Sequence, residues 1–226
     1  MKYECVKPAI FIQRLNRFVA RVNLDGEEIL CHVKNTGRCK ELLIEGTKVF
    51  LEKSSNPNRK YAYSLISVYK GEVLFNMDSS APNRAVGEWL EKGGLFEDTT
   101  LIKPETTYGK SRFEVYVEHG DKKTFIEVKG VTLERNGKAL FPDAPTERGS
   151  KHLKHLCECV RDGFEAYALF VIQMDGIESF SPNDETDKAF SENLRLAAES
   201  GVNIVAYDCT VTEDTMQIRN KIEVRL

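Results

Sequence analysis

The sequence predicts a two-domain α/β chain: a small β-barrel over residues 1–80, then an α/β domain over residues 81–226 with a central mixed sheet flanked by helices. Three observations carry that prediction. Between Ile10 and Asp78 apolar and polar residues alternate in short runs, the period of half-buried strands. After Ser79-Ser80-Ala81-Pro82 the period lengthens to that of a helix, which sets the domain boundary. From Thr146 to Tyr207 helical stripes alternate with continuous apolar runs, as in βαβ units built around strands buried on both faces.

In the first domain Phe18, Ala20, Val22 and Leu24 alternate with polar partners up to the turn Asp25-Gly26, and Ile29 to Val33 returns as the second strand of a hairpin. Lys34-Asn35-Thr36-Gly37-Arg38 breaks the pattern, and Cys39 to Leu43 has room for one helical turn. Strands resume at Thr47 to Leu51, Tyr61 to Tyr69 and Val73 to Phe75. Five strands and a short helix within about 80 residues fit a small closed barrel such as an OB-fold, and other five-stranded barrels fit as well.

The second domain opens with a helix whose N-cap is expected at Asn83, with Val86, Trp89 and Leu90 on one side and Gly93-Gly94 as its stop. The stretch SRFEVYVEHGDKKTFIEVKGV, Ser111 to Val131, holds two period-two runs around Gly120-Asp121 and reads as a hairpin. Phe113, Val115 and Val117 are expected on one face of its first strand, with Glu114, Tyr116 and Glu118 on the other. If Glu118 pairs with Lys123, Glu114 falls opposite Glu127. A further hairpin is expected across Asn136-Gly137. A helix from Thr146 to Arg161 with the stripe Leu153, Leu156 and Val160 follows, then a buried strand from Ala166 to Ile172, a helix from Thr186 to Ser200 and a strand from Val202 to Tyr207. The expected order is α-β-β-β-α-β-α-β.

Composition narrows the function classes. At 226 residues and 41% hydrophobic content the chain has enough apolar surface for ordinary cores. No run approaches the ~20 apolar residues of a membrane span, and MKYECVKPAI has neither the apolar run nor the small-residue site of a signal peptide, so the cytoplasm is the expected location. The net charge of −3 excludes a global basic field, and any nucleic-acid site must be a local patch. The 6 cysteines include no C-x-x-C pair, and Cys157 and Cys159 point roughly 200° apart on a helix, so buried free thiols are expected.

The chemistry lies in the hairpin. Glu127 and Lys129 project from one side of their strand about 7 Å apart. Glu114 facing Glu127 sets two like charges across a strand pair, which is destabilising without a compensating cation. On that argument Glu127→Gln should relieve repulsion while removing a metal ligand. Two carboxylates beside a lysine also suit metal-assisted phosphodiester hydrolysis, although Glu-x-Lys is equally an ordinary pattern on the wet face of a sheet.

The element order, with a carboxylate on the first strand and Glu-x-Lys on the second, resembles the core of the PD-(D/E)XK nuclease superfamily. More closely, the segments HVKNTGRCKELL (32–43), SRFEVYV (111–117), IEVKGVTL (126–133) and FPDAPTERGSKHLKHL (141–156) resemble the sugar fermentation stimulation protein A family. That resemblance implies an OB-like barrel, a nuclease-like second domain and non-specific DNA binding, with a regulatory role in sugar (maltose) metabolism. It places Glu127 and Lys129 at the superfamily's second carboxylate and lysine, and Glu114 at its first carboxylate, where the family usually has aspartate. Glu88 is the candidate leading-helix carboxylate. The implied catalytic set is therefore Glu88, Glu114, Glu127 and Lys129. Glu114, Glu127 and Asp143 would hold Mg²⁺ or Mn²⁺, although an aspartate just before a helix is also a common cap. Gly130 stands where serine is usual. Lys34, Asn35, Thr36 and Arg38, with Arg112, Lys151 and His152, are the expected DNA contacts. The resemblance alone does not establish cleavage, so the expected function is DNA binding with a retained cation site, with active metal-dependent cleavage as the alternative and a non-catalytic interaction module as the third.

Overall fold

The computed structural model describes residues 1–35 and 37–226, so Thr36, one of the expected DNA contacts, lies outside the described residues. The first domain contains β1 (Val6–Asn16), β2 (Val19–Leu24), β3 (Glu27–Val33), β4 (Lys48–Lys53), β5 (Tyr63–Lys70) and β6 (Val73–Asn76). The second contains α1 (Ala81–Glu91), β7 (Thr99–Tyr108), β8 (Ser111–His119), β9 (Lys122–Val131), β10 (Leu133–Arg135), β11 (Lys138–Phe141), α2 (Glu147–Arg161), β12 (Glu165–Ile172), β13 (Ser179–Pro182), α3 (Lys188–Glu199), β14 (Asn203–Val211) and β15 (Met216–Val224).

The barrel closes in the order β1-β2-β3-β5-β4-β1, the last gap being sealed by a short parallel pairing of His32 with Ser64 and Val33 with Leu65. These are not the five strands read from the sequence. β1 is a member of the ring that alternation did not reveal, and Val73–Phe75 belongs to β6, which only extends β5 outside it. Two register shifts interrupt β1, between Phe11 and Gln13 and between Arg14 and Asn16, and Pro8 sits within it, so its apolar period is broken.

Among the described residues the second sheet runs β10-β11-β13-β15-β14-β12-β9-β8-β7. The chain path is α1-β7-β8-β9-β10-β11-α2-β12, with β12 parallel to β9; it keeps the expected helix, hairpins, helix and buried strand but adds β7, an edge strand before the hairpin that the sequence reading did not contain. β12 is buried on both faces: Ala168, Phe170 and Ile172 pack in the core that contains Leu153 and Phe190, and Leu169 and Val171 in the core that contains Val86. α1 therefore covers one face of the sheet, and α2 and α3 cover the other. α2 begins at its N-cap Thr146, whose side chain accepts from Gly149 N at 3.0 Å. α3 begins at Asp187, which accepts from Phe190 N at 2.9 Å.

The domains are joined through buried polar groups. Gln173 Nε2 donates to Asn76 O, Asn76 Oδ1 and Asp78 O at 3.1, 3.0 and 3.2 Å. Lys34 bridges Asp78 at 2.8 Å and Glu52 at 3.3 Å. The first three residues leave the barrel: the Met1 amine donates to Met216 O at 2.7 Å, and Tyr3 N to Asp214 O at 2.7 Å.

Candidate functional site

The hairpin register is the expected one, with Glu118 paired to Lys123 and Val115 to Ile126. The β8–β9 ladder ends at that last pair, one residue short of Glu114 and Glu127. Beyond it β8 keeps pairing with β7 as far as Ser111, while β9 keeps pairing with β12 as far as Val131. The sheet thus forks at the two carboxylates. The fork also breaks the expected facing of β8: Phe113 turns away from Val115 and Val117, and its ring lies 5.5 Å from that of Phe125 in the other core.

Glu127 is only 1% exposed. Its Oε1 takes a hydrogen bond from Lys129 Nζ at 2.6 Å and lies against Nδ1 of the buried His152 on α2. Its Oε2 is buried without a hydrogen-bond partner among the described residues. Burial pushes the Glu127 carboxyl up, but His152 and Lys129 outweigh it and hold the group below its ordinary value. Glu114 moves the opposite way. Burial raises it first and the Glu127 charge raises it further, against partial relief from Lys129, Asn83 and Arg148.

Asn83 reaches this group from α1, donating through Nδ2 to Glu114 Oε2 at 2.6 Å. The sequence expectation that Asn83 caps the helix is corrected here. α1 starts at Ala81 after an N-cap at Ser80, three residues earlier than expected, with Pro82 in its first turn, where a missing N–H is harmless, and the Asn83 side chain is left free to turn into the fork. Asn83 and Arg148 are the site residues that sequence reasoning missed. Arg148 was detectable as the helix neighbour one turn before His152, toward which its Nε points at 3.5 Å.

The other expected residues lie elsewhere. No third His, Cys, Asp or Glu side chain joins Glu114 and Glu127 in a metal-holding cluster among the described residues. Asp143 stands instead against the barrel loop, where a Cβ added to Gly37 would meet its Oδ2, and Thr146 rather than Asp143 caps α2. Glu88 pairs with the Met1 amine at 3.0 Å. Lys34 is held in the domain junction by Asp78 and Glu52. Asn35 accepts from Gly37 N through Oδ1 at 2.8 Å. Arg112 lies 3.4 Å from Glu105 in an exposed pair, and Arg38 and Lys151 are exposed. His152, expected at DNA, is buried against Glu127.

Gly130 lies where a side chain has no room. A Cβ there would meet Gln173 Oε1 and would approach Pro82 Cγ to 2.8 Å. β9 therefore passes directly beneath the Gln173 bridge between the domains.

Family comparisons agree with this architecture. The model described as "SfsA N-terminal OB domain" matches residues 12–77, and that described as "Sugar fermentation stimulation protein RE domain" matches residues 80–215. The chain belongs to the sugar fermentation stimulation protein family. Homologues in the family from Ruminiclostridium cellulolyticum and Clostridium beijerinckii are each 56% identical over 226 residues, covering 100% of both chains. The solved structure of Pyrococcus furiosus SfsA in complex with Ca²⁺ is 28% identical, covers 100% of this chain and 98% of its own, and superposes with a TM-score of 0.91.

As a donor set, Glu114 and the free oxygen of Glu127 suit a hard divalent cation. Mg²⁺ in particular is commonly held by one or two carboxylates, with waters and substrate phosphate completing the shell.

Proposed function

We propose that this chain binds DNA through its phosphates without reading base sequence, and that Glu114 and Glu127 hold a divalent cation, Mg²⁺ or Mn²⁺, beside that DNA. The observation that carries the reading is Glu127 Oε2, a carboxylate oxygen buried with no partner among the described residues, near a second carboxylate whose pKa is raised by burial and by the Glu127 charge. A buried polar atom left unsatisfied costs about 1–3 kcal/mol, more when charged, and a cation on that oxygen offsets the deficit. The Ca²⁺ in the Pyrococcus furiosus relative supports the same conclusion. Exposed Arg38 and Lys151 supply local positive charge on an acidic chain. A part in regulating sugar metabolism, in the sense of the family's name, would act through this DNA contact and in the cytoplasm.

When bound, the ion polarises a phosphate and lowers the pKa of a coordinated water. The protein's own groups do the rest. His152 and Lys129 fix Oε1 of Glu127 and leave Oε2 unengaged, Asn83 fixes Glu114 from the opposite face, and the Lys129 ammonium places a positive charge next to Glu127. This convergence of Lys129 favours phosphodiester hydrolysis as the second reading.

Titration of unrelated duplexes of equal length should give similar affinities that fall steeply with salt. A strong preference for one sequence overturns the first reading, and absence of binding at low salt points to an interaction module. Incubation of single-stranded, duplex and branched DNA with Mg²⁺ or Mn²⁺ decides the second: cleavage lost in Lys129→Ala supports hydrolysis, and no cleavage under any condition removes it.

A further inference from the structure

A second charged feature lies on the barrel, away from the carboxylates. The Arg14 guanidinium donates to the carbonyls of Arg17, Asn35, Gly37 and Arg38 at 2.7, 2.7, 2.6 and 2.7 Å. One side chain thereby fastens the β1–β2 loop to the loop after β3. Beside it is an open cavity of about 550 Å³ lined by Arg14, Asn16, Arg17, Arg38, Lys40 and Leu43. Among the described residues Arg17, Arg38 and Lys40 form no salt bridge. Arg14 is occupied by backbone, and the other three cations are free to meet an anion.

Next to Arg17 in the tight β1–β2 loop stands Phe18, 50% exposed, with the Arg17 guanidinium 5.8 Å from its ring centroid. A large aromatic left in water beside Arg17, which lines one cavity with Arg38 and Lys40, is the combination that binds unpaired nucleic acid, because cations track phosphates and a ring face stacks on any exposed base. Bases in a duplex are already stacked on one another and offer no face to Phe18. A second, smaller cavity shares Gly37 with the first and is lined by Gly130, the residue after Lys129, so the loop carries a path from the barrel toward the fork.

We propose that Phe18, Arg17, Arg38 and Lys40 form a single-strand binding site, in which a base stacks on Phe18 and its flanking phosphates meet the three cations. This rests on the DNA-binding reading and specifies the form of DNA taken.

The test is fluorescence anisotropy of the full chain with labelled oligo-dT, an abasic oligomer of the same length and a duplex, at low salt. Stacking is worth about 1–3 kcal/mol per base, so Phe18→Ala should weaken oligo-dT binding by about 5-fold to about 150-fold. Binding of the abasic oligomer and the duplex should be unchanged. Phe18→Trp should retain oligo-dT binding, with quenching of the new indole, and Arg38→Ala should weaken all three ligands. Duplex binding with no Phe18 effect on oligo-dT overturns this inference alone. Equal losses on oligo-dT and abasic oligomer, or oligo-dT displaced as well by poly-glutamate as by DNA, also overturn it. No binding of any form at low salt overturns the DNA-binding reading with it. Because Phe18 is half exposed, Phe18→Ala should melt with the wild type, which keeps a binding loss distinct from misfolding.

Discussion

Neutralising each of the two facing carboxylates in turn should move stability in opposite directions. From the sequence, the repulsion between Glu114 and Glu127 predicts that Glu127→Gln relieves strain. The structure reverses that sign and moves the relief to Glu114. Glu127 is held in its charged form by Lys129 at 2.6 Å and by His152, and its net shift is downward. Glutamine there removes the charge opposite a lysine that is only 19% exposed, and turns the unpartnered oxygen into an equally unpartnered amide or carbonyl. Breaking a buried pair outright costs about 3–5 kcal/mol, and a glutamine that still accepts one hydrogen bond should lose about 1–3 kcal/mol. Glu114 bears the burial and the repulsion, so Glu114→Gln should gain a few tenths to about 1 kcal/mol, the range for like charges across strands. At about 2–4 °C per kcal/mol for a chain of this size, thermal melts resolve both. Mn²⁺ should raise the wild-type Tm and leave both variants unmoved. A metal-free Glu127→Gln that melts at or above wild type refutes the buried pair, and a wild type indifferent to Mn²⁺ refutes the cation site.

Three further outcomes follow from the same geometry. Arg38→Ala should weaken binding to every DNA sequence alike and reduce the salt slope by about one counterion, read from titrations at several salt concentrations. Gly130→Ala should push Gln173 off its three hydrogen bonds to Asn76 and Asp78 and destabilise the chain by about 1–3 kcal/mol in denaturant melts, whereas an unchanged stability would show that Gln173 and Pro82 yield freely. Burial pushes the Asp78 carboxyl up, but Lys34 and Ser80 more than reverse this and leave it lowered. Its contribution is therefore complete above the ordinary value near pH ~4 and is lost as pH falls through the lowered one. Asp78→Asn should be less stable by about 3 kcal/mol at neutral pH and should lack that part of the acid loss, which melts across the acid range measure.

What the sequence made legible, and what it did not, has a physical pattern. The register that brings Glu114 near Glu127 was readable as far as Val115 opposite Ile126, because a short turn fixes Glu118 opposite Lys123. The fork was not, since β8 is drawn toward β7 and β9 toward β12, and neither long-range pairing is written in the hairpin itself. β15 alternates Met216, Ile218, Ile222 and Val224 and was visible in principle, but the polar Arg219-Asn220-Lys221 run and a register shift opposite it obscured the period. His152 lies near the edge of the apolar stripe of α2, which says that it borders the core but not that the facing strand presents a carboxylate there. Lys34 likewise looked like a phosphate contact because Asp78, its buried partner, is 44 residues away.

The fork depends on both domains at once. One wall carries Glu127, Lys129 and Gly130, and Gly130 passes beneath Gln173, which binds Asn76 and Asp78 at the end of the barrel. Asp78 in turn holds Lys34, and Lys34 begins the loop that Arg14 fastens beside the basic cavity. Beyond the Gly130 contact, each link is a buried or half-buried hydrogen bond, which ties Lys34 and Asn35 to β9. Phe50 and Ile66 from the barrel and Leu74 from β6 share a core with Met1, Tyr3, Val86 and Val115. Division of the chain at residue 80 would expose that core and remove Met1 and Tyr3 from the strand pair they cap. On the proposed reading, a strand of DNA held at the basic cavity would sit at a fixed offset from Glu114 and Glu127, and such positioning would matter to a cation whose remaining ligands came from water and phosphate.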